Sequence, residues 1–349
     1  MKALIIFGTS ICFAAYPVSF MKPCFITKLH QEQRPLVACA KKAEHHPSTK
    51  KSLFISPLEA RWAAECKHVW QLGDCEHRRW VQQKHIIFIS GFGNELSRIQ
   101  DAFYRAHFEV VEKEYGSTAT YFGPQSINAP EMNIGSIYRR ILVEYNKLNK
   151  PIILVGHSKG GLEILYTILH HPELIQDGIV DGIVLLQTPI NGVYLLDKKS
   201  NNAFIQRIIS LCGDGVQALT QEAAAEKLER YLARLTIITH NTHGLIAAQD
   251  LLEEISSKIF YVRSYQHKRT LNPKLSFLNF FLCHEPEQQN DGVILLDSQK
   301  SNAIGRELGI IRADHLEFTE PHPEKSRRYH RTKAFIRALL QEVHKNLEP

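Results

Sequence analysis

The sequence predicts an α/β fold in which a mostly parallel central sheet is flanked by helices. Short apolar runs bounded by glycine, proline or polar residues are typical of strands buried on both faces, and they occur at residues 85–90, 152–155 and 182–186. Apolar residues at helical spacing lie between these runs, for example at residues 134–148. The 349 residues, 44% of them hydrophobic, suffice for one large domain with insertions or for two domains.

The charge balance limits the classes of partner. The chain has 42 basic and 36 acidic residues, a formal net charge of +6. This mild excess is compatible with contact at an anionic membrane surface and does not favour a nucleic acid as partner. None of the seven cysteines has the spacing of a zinc site.

Residues 1–20 begin with Lys2, continue as an apolar stretch and include the small residues Ala14 and Ala15. This pattern is typical of a secretory signal peptide, so we expect a periplasmic, secreted or membrane-associated protein. The alternatives are an uncleaved membrane anchor and a plain apolar segment of a cytoplasmic protein. Residues 21–84 are predicted as a polar linker and a helical extension, because Ser56 and Pro57 form a helix start.

Residues 151–161 contain the pattern Gly-x-Ser-x-Gly around Ser158, between a predicted buried strand and a predicted helix. The flanking glycines permit a sharp turn that presents the Ser158 hydroxyl above the sheet as a nucleophile. The backbone N–H of Lys159 is then placed at a helix start, where developing negative charge is stabilised. The alternative is an ordinary turn in which Ser158 caps the helix.

A second glycine-rich bend, at residues 91–93, directly follows the first predicted strand. A bend in this position supplies the other backbone donor of an oxyanion hole, so Phe92 and Lys159 are the candidate donors. A plain turn is the alternative. Residues 108–114 are predicted as a partly alternating strand.

The second half of the chain contains two further helical regions. Residues 191–250 are predicted to form a helical insertion that acts as a cap or lid over the site, with packing on the body as the alternative. Residues 290–296 are predicted as a turn that leads into a strand. Residues 321–349 are predicted as a C-terminal amphipathic helix whose basic residues form a solvated face, or alternatively bind an acidic membrane surface.

A reactive serine needs a base and a carboxylate that orients the base. In the chain order serine, acid, histidine, the best candidates are Asp291, at an Asn-Asp-Gly turn, and His315, after the last apolar run. An imidazole with a pKa near about 6.5 can accept and return a proton at neutral pH. The alternatives are a turn-forming aspartate and a surface histidine.

Four segments of this chain resemble the bacterial true lipases of the Pseudomonas/Burkholderia type, which are secreted α/β-hydrolases. They are residues 90–93 (Ser-Gly-Phe-Gly), 155–161 (Val-Gly-His-Ser-Lys-Gly-Gly), 290–293 (Asn-Asp-Gly-Val) and 314–317 (Asp-His-Leu-Glu). The resemblance covers residues 85–318 and implies an α/β-hydrolase catalytic domain at 85–320. It implies that Ser158, Asp291 and His315 form a catalytic triad, with Phe92 and Lys159 as the oxyanion hole.

The chain departs from that family at two positions. Ser90 stands where the family usually has histidine, and Glu317 stands where it usually has an aspartate that serves a calcium ion. We therefore expect no cofactor. The alternative that the resemblance implies is a calcium ion. The Lys159 side chain beside the nucleophile suggests a preference for anionic head groups.

These observations predict a serine hydrolase that cleaves carboxylic esters, with a lipid ester as the expected substrate. A thioesterase and an acyltransferase are alternatives on the same fold. A catalytically inactive lipid-binding protein is the alternative from another class, since a fold alone does not establish activity.

Overall fold

The computed structural model describes residues 56–67, 75–91, 104–198, 214–243, 245–266, 289–319, 322–324 and 326–348. The predictions made for residues 1–55, for Phe92 and for residues 199–213 of the insertion lie outside these ranges.

Strands from six parts of the described chain form one sheet: β1 His85–Ile89, β2 Thr118–Phe122, β3 Ile152–His157, β4 Val180–Leu186, β5 Ile259–Tyr265 and β6 Arg306–Arg312. Every neighbouring pair is parallel, and the order across the sheet is β2-β1-β3-β4-β5-β6. Both β1 and β3 are buried along their full length, as their apolar runs predict. The predicted α/β class is thus confirmed.

The helices of the described residues are α1 Pro57–Lys67, α2 Cys75–Gln82, α3 Arg105–Phe108, α4 Ile134–Leu148, α5 Lys159–His170, α6 Glu173–Gln176, α7 Tyr194–Lys198, α8 Asp214–Gln217, α9 Gln221–His243, α10 Leu245–Ser257 and α11 Arg327–Leu347. Ser56 caps α1, since its hydroxyl accepts a hydrogen bond from the Glu59 N–H at 3.1 Å. Among these helices, none combines the length and the apolar run needed to cross a bilayer.

The helices cover both faces of the sheet and create two cores. On one face, side chains such as Leu154 and Leu185 pack against α4, α5, α9 and α10. On the other, Phe88 and Phe260 pack against α1, α2 and α11. The helix α11 contributes an apolar stripe in which each side chain is at most 2% exposed: Phe335, Ile336, Leu339, Leu340 and Val343. Burying each of them stabilises the fold by roughly 1.5–3 kcal/mol.

The prediction of a strand at residues 108–114 is wrong, because α3 continues into a π-helical turn at Glu109–Glu114. Val110 and Val111 are adjacent in sequence and both are fully buried against α11, which a helical backbone permits. The neighbouring strand of the sheet is instead β2, whose β-branched and aromatic residues favour extended backbone.

The basic residues of α11 do not form a simple solvated face. The Lys333 ammonium lies 2.8 Å from a carboxylate oxygen of Glu109 and 2.7 Å from one of Glu114. The Lys333 side chain is only 12% exposed. Arg337 also pairs with Glu114, at 2.8 Å. These contacts hold α11 against Glu109–Glu114, the helical segment for which the sequence predicts a strand.

The strand predicted within residues 290–296 is also wrong. Asn290 and Leu295 form one isolated bridge, and a 3₁₀ turn at Leu296–Gln299 follows. The Asp291 carboxylate accepts hydrogen bonds from the N–H groups of Val293, at 3.0 Å, and Ile294, at 2.8 Å. Because this carboxylate bends the chain back on itself, no extended segment forms.

The described residues between β4 and β5 are largely helical, as the sequence predicts for an insertion. Leu228 and Leu235 of α9 are buried in the core, and Tyr231 stacks on Tyr166 of α5 with ring centroids 4.9 Å apart. This part of α9 therefore packs on the body of the domain. A lid role for residues 191–250 stays a prediction.

Candidate active site

The backbone turns sharply at Ser158, between β3 and α5. Ser158 has a φ of 57° and a ψ of −130°, a region that non-glycine residues rarely adopt. The turn is held by close packing, since a Cβ on Gly160 would lie 2.6 Å from the carbonyl oxygens of Ile89 and Ser90. The strained backbone at Ser158 thus places the serine hydroxyl at the carboxyl end of the sheet, which agrees with the predicted turn.

The end of β1 approaches the same turn. A Cβ on Gly91 would lie 2.9 Å from the backbone nitrogen of Lys159, so only glycine fits there. Lys159 is the first residue of α5, where the positive end of the helix dipole lies. The other candidate donor, Phe92, directly follows Gly91 and lies outside the described residues.

The imidazole of His315 contacts both other predicted residues. Its Nε2 lies 3.0 Å from Oγ of Ser158. Its Nδ1 lies 2.8 Å from Oδ2 of Asp291. The structure therefore brings together three side chains that are far apart in the sequence, in the order hydroxyl, imidazole, carboxylate.

Asp291 is fully buried and held on several sides. The His315 N–H donates to the Asp291 carbonyl at 2.9 Å, and the Gln266 amide donates to the same carbonyl at 2.7 Å. Two other aspartates in the same part of the sequence do not contact the ring: the Asp297 side chain is 90% exposed, and Asp314 accepts a hydrogen bond from the Leu316 N–H at 2.9 Å. Asp291 is thus the carboxylate that orients the His315 ring.

The charge of the Lys159 side chain is not available to a substrate at Ser158. Its ammonium is buried and forms an ion pair with the Glu163 carboxylate, one helical turn further along α5. The Asn133 amide donates to that carboxylate at 2.7 Å. Because a buried carboxylate already neutralises this cation, the structure does not support the predicted preference for anionic head groups.

Two fully buried glutamines near these groups were missed by the sequence analysis. Gln187 follows β4 directly, and its amide donates to the Asp314 carbonyl at 2.9 Å. Gln299 donates to Oδ2 of Asp291 at 3.4 Å. The position of Gln187, at the carboxyl end of a parallel strand, is the one sequence signal that pointed to it.

Two buried histidines near the site have lowered pKa values. Burial holds the pKa of His157 well below its usual value, and the neighbouring His315 lowers it further. Burial also lowers the pKa of His107 to about 3. The rings of His157 and His315 have centroids 4.8 Å apart, so a neutral His157 adds no positive charge beside the imidazole of His315.

Glu317 occupies the position where the family resemblance places a calcium ligand. Its Oε1 lies 2.9 Å from Nε of Arg331, whose guanidinium lies over the Trp62 ring at 4.6 Å from the centroid. Within the described residues, no group of three or more histidine, cysteine, aspartate or glutamate side chains is arranged to hold a metal. Since a guanidinium already binds the carboxylate, these residues do not fit a calcium ion.

Comparisons of sequence give limited matches. No protein-family model matches the chain. A stretch of 59 residues is 39% identical to the human phosphatidylcholine-sterol acyltransferase and covers 16% of this chain and 13% of that protein. The acyltransferase of Papio anubis is 42% identical over 43 residues, which cover 12% of this chain and 10% of that protein. The chain therefore aligns with only a small part of these relatives.

Comparisons of structure extend over most of the chain. A metagenomic carboxyl esterase superposes with a TM-score of 0.54 at 18% sequence identity, and the match covers 76% of each chain. The mature form of a Bacillus licheniformis lipase superposes with a TM-score of 0.51, also at 18% identity, and covers 68% of this chain and 87% of the lipase. Together with the parallel sheet and the turn at Ser158, these likenesses show that the chain has the α/β-hydrolase fold.

Proposed function

We propose that the protein is a serine hydrolase that cleaves carboxylic esters, with a lipid ester as its substrate. The observation that carries the proposal is the bonded series from the Ser158 hydroxyl through the His315 ring to the Asp291 carboxylate, at 3.0 Å and 2.8 Å. The lipase and esterase neighbours in structure agree with it, although at 18% identity they speak for the fold alone.

The proposed reaction begins at the serine. Nε2 of His315 takes the proton of Ser158 as Oγ attacks the ester carbonyl carbon, and the carbonyl π-electrons move to the oxygen. The resulting oxyanion accepts hydrogen bonds from the backbone N–H of Lys159 and, in this proposal, of Phe92. Each such donor lowers the barrier by on the order of 3 kcal/mol.

Collapse of the tetrahedral species breaks the bond to the leaving oxygen. The proton on His315 passes to that oxygen, so the alcohol leaves neutral and an acyl-Ser158 ester remains. Water then gives a proton to His315 and attacks the acyl carbon, which releases the acid and restores the serine. Throughout, Asp291 fixes the ring orientation and stabilises the positive charge that forms on the imidazole.

The finer parts of the proposal concern substrate and place. An acylglycerol preference rests on the resemblance to the Pseudomonas/Burkholderia lipases in residues 85–318. Export rests on the apolar pattern of residues 1–20. Of the basic residues on α11, Arg331, Lys333 and Arg337 form ion pairs with carboxylates of the described chain.

A second candidate function is acyl transfer to an alcohol. It is favoured by the alignment of 59 residues with the human phosphatidylcholine-sterol acyltransferase, which does not identify an acceptor for this chain. In that case an alcohol in place of water would attack acyl-Ser158. Product analysis with a phosphatidylcholine donor, with and without cholesterol, separates the two: a cholesteryl ester indicates transfer, and free acid alone indicates hydrolysis.

The direct test uses purified wild type, Ser158→Ala and the matched control Ser257→Ala, whose hydroxyl is exposed at the end of α10. We expect a fluorophosphonate probe to label wild type and Ser257→Ala, and p-nitrophenyl esters of graded chain length to be hydrolysed by the same two proteins. Ser158→Ala should do neither. Labelling that persists in Ser158→Ala, or a wild type that is neither labelled nor active, would overturn the proposal.

A further inference from the structure

We propose that Gln187 is a positioning residue, which holds the loop of His315 in register with Ser158. The inference rests on the proposed hydrolase function and adds a residue that does not touch the substrate. Gln187 follows β4, whereas Ser158 follows β3 and His315 follows β6. Its side chain lies in the buried space between these strand ends, and it is 0% exposed.

The amide of Gln187 makes three contacts, each to a different strand end. Its Nε2 donates to the Asp314 carbonyl at 2.9 Å and to the Ser264 hydroxyl at 2.5 Å. Its Oε1 lies 3.1 Å from Nε2 of His157, the residue before the nucleophile. One side chain thus connects the strand that carries Ser158, the end of β5 and the loop that carries His315.

His157 completes the link to the histidine loop. Its Nε2 lies 2.9 Å from the His315 carbonyl as well as 3.1 Å from Oε1 of Gln187. Both of these atoms are acceptors, so the hydrogen of the neutral His157 ring must be on Nε2. Gln187 and His157 therefore fix the carbonyls of Asp314 and His315, one on each side of the His315 Cα.

The contacts also continue to the carboxylate. The Ser264 N–H donates to Oε1 of Gln299 at 2.7 Å, and Gln299 donates to Asp291 at 3.4 Å. A ring of hydrogen bonds thus connects Gln187, Ser264 and Gln299 with the three site residues. Within this ring, both Gln187 and His157 connect the β3 side to the β6 side, and Gln187 also contacts β5.

The backbone of Gln187 supports a functional reading of these contacts. Its φ is +51°, in the left-handed region that a non-glycine residue enters at a cost of roughly 1–3 kcal/mol. Such strain is tolerated where surrounding contacts fix it, and it occurs frequently at active sites. Here the residue with this backbone conformation donates a side-chain hydrogen bond to the Asp314 carbonyl.

The first test replaces Gln187 by methionine, which keeps the side-chain volume and removes every hydrogen bond of the side-chain amide. We expect kcat for a p-nitrophenyl ester to fall about 10- to 100-fold with KM within about twofold, because a displaced base affects the transition state more than binding. The matched control is Leu174→Ala, a core substitution in α6 that lowers Tm while leaving kcat unchanged.

The second test uses Gln187→Glu and a pH profile. A buried carboxyl group retains its proton to higher pH than usual, and the protonated form can still donate one of the two hydrogen bonds that the amide donates. The variant should therefore keep most of its kcat at lower pH and lose it reversibly at alkaline pH, where wild type stays flat. A substitution that only destabilises the fold would not produce this reversible loss of kcat at alkaline pH.

The third variant, Gln187→Gly, separates strain from hydrogen bonding. Glycine relaxes the backbone, and we expect kcat to stay as low as in Gln187→Met because the amide is missing. If Gln187→Met or Gln187→Gly keeps the kcat of wild type, the positioning role is overturned while the hydrolase proposal stands. If wild type itself has no esterase activity and no probe labelling, the proposed function fails first, and that result is distinguishable from the other.

Discussion

The guanidinium of Arg331 binds the carboxylate of Glu317, two residues after His315, with Nε and Oε1 2.9 Å apart. Arg331 belongs to α11, so the C-terminal helix reaches the loop that carries the proposed base. Thr332 makes a second, longer contact, at 3.4 Å, to the Glu317 carbonyl. A guanidinium of the protein itself thus pairs with the carboxylate for which the resemblance to secreted lipases suggests a calcium ion.

The first prediction concerns this contact and calcium. Because Arg331 already neutralises Glu317, neither EDTA nor millimolar calcium should change Tm or esterase activity. Arg331→Ala should lower the free energy of unfolding by about 1–3 kcal/mol, since Glu317 is left buried without its partner. Urea unfolding measures this value. A calcium-dependent rise in the Tm of wild type would contradict the prediction.

The second prediction concerns the buried pair of Lys159 and Glu163. Lys159→Met leaves a buried carboxylate without its cation and should cost about 3–5 kcal/mol of unfolding free energy. Lys159→Met combined with Glu163→Leu should recover much of that loss, because no charge remains buried.

The same variants test head-group preference. The ratio of phosphatidylglycerol to phosphatidylcholine hydrolysis should be equal in wild type and in the double variant, because the ammonium does not face the substrate. A ratio that falls in the double variant would show that the lysine does contact the head group.

The third prediction concerns the close approach of Gly91 to the turn. Gly91→Ala places a methyl group 2.9 Å from the Lys159 nitrogen, which displaces the proposed oxyanion donor, so kcat should fall about 100-fold or more. The control is Gly135→Ala in α4, where a new Cβ meets no atom within 4 Å. That variant should keep its kcat and gain about 0.5–1 kcal/mol of stability.

The fourth prediction concerns acid stability. The pKa of His107 is lowered to about 3 in the folded protein, so only the unfolded chain takes up a proton there between pH 6.5 and 3. The free energy of unfolding should therefore fall as pH falls through this range, by at most about 1.4 kcal/mol per pH unit from this residue.

His107→Phe should flatten that dependence, because phenylalanine keeps an aromatic ring against Phe88 and has no proton to take up. Urea unfolding between pH 7 and pH 4 measures the slope. His330→Phe replaces an exposed histidine and serves as the control, with an unchanged slope. Equal slopes in wild type and His107→Phe would refute the assignment.

The sequence predicts the features that depend on local pattern. Apolar runs identify β1 and β3, the glycines around Ser158 identify the sharp turn, and the spacing of apolar residues identifies α11 within the predicted segment 321–349. Asp291 and His315 were identified from chain order, and the structure places them in contact with each other and with Ser158.

The remaining features depend on contacts between distant residues. Gln187 meets Ser264 and Asp314, which lie 77 and 127 positions further along the chain, so no local pattern predicts its role. The adjacent valines 110 and 111 fit a strand or a helix equally well, and packing on α11 decides between them. The Asp291 carboxylate binds nearby N–H groups, and these bonds override the extended preference of the residues that follow.

The order of the strands has a consequence for biosynthesis. Ser158 leaves the ribosome nearly 160 residues before His315, and the His315 loop is held by α11, which follows it in the sequence. A growing polypeptide therefore carries Ser158 without its hydrogen-bond partner until residue 315 has been made. On the proposed mechanism, the nascent chain then stays inactive until the two ends of this stretch have folded together.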